Sequence, residues 1–286
     1  MTANVRISPA VCVVLFAFTV ALMLIVFPSQ ARAQVTCPAT SLTADSDGDG
    51  LTDAEECAGI TLPPGVALLD GTTLVPSCLV APVPRANCLD PNTKDVFVIV
   101  VPAAAGTLLP SNLFGNVTFY NVAFNGLNDL GITVHRVTST AGRAVTARAT
   151  GPQQNAVRLT ESRDTSDTIL GVCNWGTPND LDGCVIYMQR IKNFIDSICD
   201  GAGDTTTDRT AVLNAYAVHT ALHETGHTLG GMTGIYSKRY GGNHYASGTG
   251  LIMEQSETYS TKNGVCSWNI TNQWNLPTDA ASVRLQ

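Results

Sequence analysis

Charge is scarce in this chain. Only 14% of its 286 residues are Asp, Glu, Lys or Arg, against about 25% in ordinary soluble domains. That scarcity excludes coiled coils laced by ion pairs and acidic disordered tails. Lys and Arg number 16 against 23 Asp and Glu. No cationic surface is available to neutralise phosphates, so nucleic acid is not an expected partner. No C-x-x-C pair occurs, which argues against a cysteine-rich zinc module. No internal repeat is visible, and no segment after residue 27 is apolar enough to cross a bilayer. What remains is a chain with 44% hydrophobic residues, 25 glycines and 14 prolines. It is long enough for one large domain or two smaller ones.

Nine cysteines are an odd number, and too many for a routine cytosolic enzyme. The N-terminus explains the parity. Arg6 supplies positive charge, residues 10–27 are almost continuously apolar, and Ala31-Arg32-Ala33 precedes Gln34 as a small-residue cleavage site. Residues 1–33 therefore read as a secretory signal peptide rather than a retained anchor. Cleavage removes Cys12 and leaves Cys37, Cys57, Cys78, Cys88, Cys173, Cys184, Cys199 and Cys266. An even set in an exported chain implies up to four disulfides. Neighbour pairing (37–57, 78–88, 173–184, 199–266) is the expected pattern. Loss of Arg6 and Arg32 lowers the formal net charge from −7 to −9. The expected location is secreted or extracytoplasmic, with no stable membrane anchor after cleavage.

Residues 34–92 form a Cys/Pro-rich segment with little periodicity, expected to hold its shape through disulfides and bound metal. From residue 93 to 286 the pattern changes to that of a main domain. The run Val96–Val101 reads as a buried strand, with further strands at Ile132–Val137, Ala156–Leu159 and Cys184–Met188. Apolar side chains at 120, 123, 124, 127 and 130, followed by Gly131, predict a helix over 117–130. A helix through Ile191, Phe194, Ile195 and Ile198 is expected next. Another starts near Asp208, its expected N-cap, and runs to His223 and beyond. Glycine-rich sequence after Gly230 implies a coil-rich ending. The fold class is α+β.

Asp45-Ser-Asp47-Gly-Asp49-Gly50-Leu51-Thr-Asp53-Ala-Glu-Glu56 matches a twelve-position calcium loop. Carboxylates stand at positions 1, 3, 5, 9 and 12, Gly50 at the sharp turn, and Leu51 offers its backbone carbonyl. Ca²⁺ takes 6–8 hard oxygen ligands, which this spacing folds inward. No apolar helix precedes the loop, so a sensor-type EF-hand pair is not expected. The segment resembles the isolated calcium loops of thrombospondin type 3 repeats, which implies a structural ion that orders the cysteine-rich segment.

His223-Glu224-Thr225-Gly226-His227 places two imidazoles four residues apart, on one face of a helix, where they can grip one Zn²⁺. Glu224 can take the proton of a water that zinc acidifies as it attacks a polarised carbonyl. A glutamate ligand about twenty residues on, as in gluzincins, is absent, since Ala246 and Ser247 stand there. The chain resembles the metzincins through His223, Glu224, His227 and Gly230. Thr233 occupies the position where that family carries its third histidine.

His244, the only histidine after His227, is the candidate third zinc ligand, reached through an expanded loop as in leishmanolysin-like metzincins. Met253 matches the family's Met-turn, and Tyr245 or Tyr259 is a candidate oxyanion donor. The resemblance implies a zincin catalytic domain with a twisted sheet, an active-site helix and endopeptidase activity on protein or peptide substrates. His135 and His219 read as structural. Cys88 reads as a disulfide cysteine, with ligation of zinc in a latent form as the alternative. A calcium-binding adhesin with a degenerate zinc site is the competing function, and hydrolysis of a non-peptide bond a third.

Overall fold

The structure is a computed structural model. It describes Cys37 and most residues from 43 to 229, together with Ile252 and short stretches at 260–262 and 265–267. Residues 1–36, 38–42, 80–86, 147–153, 175–182, 200–204 and 230–251 lie outside the described residues, as do shorter stretches between 112 and 143 and most of the chain after 252. The expected signal peptide falls outside them. The described residues from Cys37 onward belong to one compact unit.

In chain order the elements are α1 (Asp53–Ala58), β1 (Ile60–Thr61), β2 (Val66–Leu68), β3 (Leu74–Val75) and β4 (Asp95–Val101). Then come β5 (Val117–Phe119), β6 (Val122–Phe124), β7 (Thr133–Ser139), β8 (Val157–Ser162), β9 (Gly171–Asn174) and β10 (Gly183–Tyr187). The chain continues through α2 (Met188–Ile198), α3 (Thr206–Leu229), β11 (Ser260–Lys262) and β12 (Val265–Ser267). The class is α+β. Its centre is a six-stranded sheet of order β2-β7-β4-β8-β10-β9. The four inner strands β7, β4, β8 and β10 run parallel, and the edge strands β2 and β9 are antiparallel to their neighbours.

Strand β4 is an unbroken apolar run because both of its faces are buried. Val96 and Val98 point into a core shared with Leu159, Ile186 and the apolar faces of α2 and α3. Phe97 and Ile99 point the other way, into a core built with Leu51, Val66, Leu68 and Val75. The Cys/Pro-rich segment thus covers one face of the sheet while the helices cover the other, and it also donates β2 as an edge strand.

Cys37–Cys57, Cys78–Cys88 and Cys173–Cys184 are disulfide-bonded, the neighbour pairing expected for these six. Cys88 is therefore committed to Cys78, which removes it as a zinc ligand. Cys199 is also disulfide-bonded, while the side chain of Cys266 lies outside the described residues. These bridges fit a chain that folds outside the reducing cytosol. Among the described residues no helix is long and apolar enough to cross a membrane.

Two expectations are corrected. The described residues from 117 to 124 are strand and not helix. Val117-Thr118-Phe119 and Val122-Ala123-Phe124 pair as antiparallel strands, Val117 opposite Phe124 and Phe119 opposite Val122. Short β-branched and aromatic stretches joined by a two-residue connection favour a hairpin over the weaker helical spacing. The long helix begins at Thr206, so Asp208 lies in its first turn and is not the N-cap.

Candidate metal centres

The loop at residues 45–56 folds around the carboxylate of Asp45. Its oxygens accept from the backbone N–H groups of Gly48 at 2.7 Å, Asp49 at 3.2 Å and Gly50 at 3.0 Å. Gly50 sits at φ 94°, a left-handed conformation that glycine adopts without strain. Leu51 donates its N–H to Asp49 Oδ1 at 2.7 Å and is fully buried, anchoring the loop in the core. Thr52 then caps α1 in a capping box with Glu55, which satisfies two N–H groups that a helix start leaves open.

Asp45, Asp47 and Asp49 bring ligand atoms within 4.8 Å of one another, and so do Asp49, Glu56 and Asp95. Asp53 stands apart from these groups, its two oxygens accepting from Ser46 N at 2.8 Å and Ser46 Oγ at 2.7 Å.

Burial and mutual repulsion act strongly on these acids. Asp47 is pushed up to about 7 by burial and by Asp45 and Asp95. Burial and then Asp47 push Asp49 to about 8. Glu56 is pushed to about 10 by burial and then by Asp49, Asp47 and Asp95. Burial also raises Asp95, against the opposing hydrogen bond of His135. Such a set is one that a divalent cation would compensate.

Asp95 was not legible from the loop pattern because it lies 46 residues beyond Asp49. Its N–H donates to Asp49 Oδ2 at 2.6 Å. Its Oδ1 lies 2.7 Å from His135 Nε2, with both side chains fully buried. The sequence did hold one signal, a carboxylate at the head of a buried apolar strand, where an acid needs a partner. Gln154 was missed as well. Its Nε2 donates to Asp49 O at 3.1 Å and Asp95 O at 2.7 Å, joining loop to strand.

The second candidate centre lies on α3. His223 and His227 lie one turn apart on one face, as the i, i+4 spacing predicts, with ring centroids 4.9 Å from each other in an edge-to-face arrangement. His223 Nδ1 lies 2.7 Å from Ile252 O. A carbonyl only accepts, so the Nδ1 carries the proton and the lone pair sits on Nε2. That is the tautomer in which a neutral imidazole ligates metal, fixed by the kind of backbone contact that orients zinc-binding histidines. The side chain of His219 is fully buried, and its ring centroid is 6.3 Å from that of His223.

Glu224 is almost fully buried against edge strand β9. A Cβ placed on Gly171 would sit 2.6 Å from Glu224 Cγ, so any larger residue would push this side chain from the position it holds. Behind it, the Cys173–Cys184 bridge ties β9 to β10, with the two sulfurs 2.7 and 3.3 Å from Glu224 O. A disulfide has no thiol proton, so these are S···O packing contacts. Arg190 of α2 holds the approach to β9 by donating to Asp164 O at 3.0 Å and Ile169 O at 2.8 Å. Gly171 was also missed, since Gly, Cys and Asn make a poor strand by propensity.

His223 and His227 share one face of α3, while Glu224, next to His223 in the chain, turns its side chain toward Gly171 of β9. His244, Tyr245, Met253, Tyr259 and the Thr233 position lie outside the described residues. Two imidazoles on one helical face, one ring fixed by a carbonyl, are donors of a kind that zinc takes; the groups of three or more metal-ligating side chains found among the described residues are the two carboxylate clusters. Comparison with protein-family models, curated proteins and solved structures finds no match to this chain.

Proposed function

We propose that the protein is a secreted, calcium-stabilised zinc endopeptidase of metzincin type. The observation that carries this reading is the His223–His227 pair, with His223 held through Nδ1 by Ile252 O and Glu224 seated between the helix and Gly171. In this reading His244 would be the third zinc ligand, Met253 would be the Met-turn residue, and Tyr245 or Tyr259 would support the oxyanion. Zinc held there supplies Lewis acidity, polarising the scissile carbonyl and acidifying a water.

The chain's own groups do the rest. Glu224 accepts the proton of the attacking water and returns it to the leaving amine. Its near-complete burial keeps bulk solvent from competing for that proton. Strand β9 ends the sheet and runs beside Glu224, so an extended peptide can pair along its outer edge. That geometry favours a peptide over a small ester or amide.

The test compares wild type with Glu224→Ala on casein, with and without 1,10-phenanthroline. Chelator-sensitive cleavage by the wild type alone is expected. If the wild type cleaves no better than the variant, the protease reading fails and a calcium-loaded adhesin takes its place. Zinc content assigns the third ligand: His244→Ala should lose zinc, and Thr233→Ala should retain it.

A further inference from the structure

The carboxylates around the calcium loop do not all belong to the loop. Asp95 opens β4, the central parallel strand that both cores share. Its carboxylate, with those of Asp49 and Glu56, forms a wholly buried group whose ligand atoms lie within 4.8 Å. Three carboxylates removed from water cannot all ionise without compensating positive charge.

Hydrogen bonds account for only part of this group. Asp95 Oδ1 meets His135 Nε2 at 2.7 Å, and Asp95 Oδ2 accepts from Asp90 N at 3.3 Å. Asp49 divides its oxygens between Leu51 N and Asp95 N. Glu56 is different. Its side chain is 0% exposed, and its oxygens meet no amide, hydroxyl or cationic donor among the described residues, facing the acid Asp95 instead. Asp47 Oδ2 is buried without a partner among the described residues. A buried acceptor left this way is costly, and two oxygens of one carboxylate facing two other acids form half of a hard-cation shell.

We propose that Asp95 is a ligand of the Ca²⁺ ion bound by residues 45–56, so that one ion joins the disulfide-rich segment to the central strand of the sheet. The inference rests on reading those residues as a calcium loop. The shell then draws on Asp45, Asp47, Asp49 and Glu56 from the segment and on Asp95 from the sheet. All offer oxygen, the donor Ca²⁺ takes and zinc does not prefer. His135 is a positioning residue: it donates to Asp95 Oδ1 and stacks on Phe97 with ring centroids 4.7 Å apart. Gln154 holds the two backbones in register from outside the shell. The ion in this arrangement does more than order its own loop. It fastens the layer that covers one face of the sheet.

Calcium titration of the mature chain by calorimetry tests this, with wild type, Asp45→Asn and Asp95→Asn compared. Both substitutions are expected to weaken affinity by about ten-fold or more, as removal of one ligand charge does. Wild-type affinity in Asp95→Asn beside a loss in Asp45→Asn overturns the proposal and leaves the loop reading standing. No binding by the wild type overturns both. Should Asp95→Asn not fold, hydrogen exchange of the wild type decides the matter. Calcium should slow amides over 90–97 as well as those of the loop, and slowing confined to 45–56 refutes the bridge.

Discussion

The two candidate centres lie on opposite faces of one sheet and are assembled in different ways. The proposed zinc site takes its two histidines from a single turn of α3, and the rest of the molecule only holds that turn in place. The calcium side takes Asp45, Asp47, Asp49 and Glu56 from one short segment, and Asp95 reaches them from β4, far away in the chain. One centre is local and supported, the other shared between layers. Losing the first should silence chemistry and spare the fold. Losing the second should loosen the fold and reach chemistry only indirectly.

The sharpest way to break this contrast is Gly171→Ala. Its backbone is not in the left-handed region, so β9 accepts alanine, but the new methyl strikes Glu224 at 2.6 Å. A displacement near 1 Å at a catalytic group costs about 100-fold in rate. A drop of that order in kcat, with unchanged calcium affinity and an unchanged melting temperature, is expected from steady-state kinetics and thermal scans.

Calcium removal is the mirror experiment. At a hundred-fold excess over Kd a bound ion stabilises a fold by about 2.7 kcal/mol. For a chain of this size that corresponds to roughly 5–10 °C in Tm. A calcium-selective chelator should lower Tm by that amount, whereas Glu224→Gln should not move it.

Next in size is the pH response. Asp47, Asp49 and Glu56 are raised to about 7, 8 and 10 in the folded chain. The folded chain without calcium therefore binds more protons than the unfolded one above the ordinary carboxylate range, and its stability falls as pH rises. Thermal scans in chelator should show Tm dropping from about pH 5 to about pH 10. Saturating calcium, which holds the same groups ionised, should abolish that slope.

The smallest effect is expected at the cap. Thr52→Ala removes the side chain that accepts from Glu55 N, a loss of about 1 kcal/mol. It should appear in Tm and calcium affinity and leave kcat unchanged.

The same contrast governs what the sequence made legible. His223 and His227 could be found because helix geometry turns a spacing of four into a shared face. The clustering of Asp45, Asp47, Asp49 and Glu56 was legible because their spacing is written in one short stretch of sequence. β4 was equally plain, since a strand buried on both faces is apolar throughout. Asp95 was not, because its membership depends on how β4 meets the loop. Gly171 was hidden because a glycine gives no sign that it is making room for a distant carboxylate. The 117–130 stretch misled for a related reason: its 3.6-residue spacing and its Val-Thr-Phe and Val-Ala-Phe pairs favour different structures, and the pairing won.

The Cys173–Cys184 bridge has a consequence for how this molecule can vary. It links directly opposed residues of β9 and β10, at a sequence separation of 11. With the two ends of that connection locked, its own length and composition are decoupled from the strand beside Glu224. Insertions and substitutions between Asn174 and Gly183 should therefore leave the β9–β10 pairing intact. In the proposed protease, that would free this stretch of sequence to vary without disturbing the strand beside Glu224.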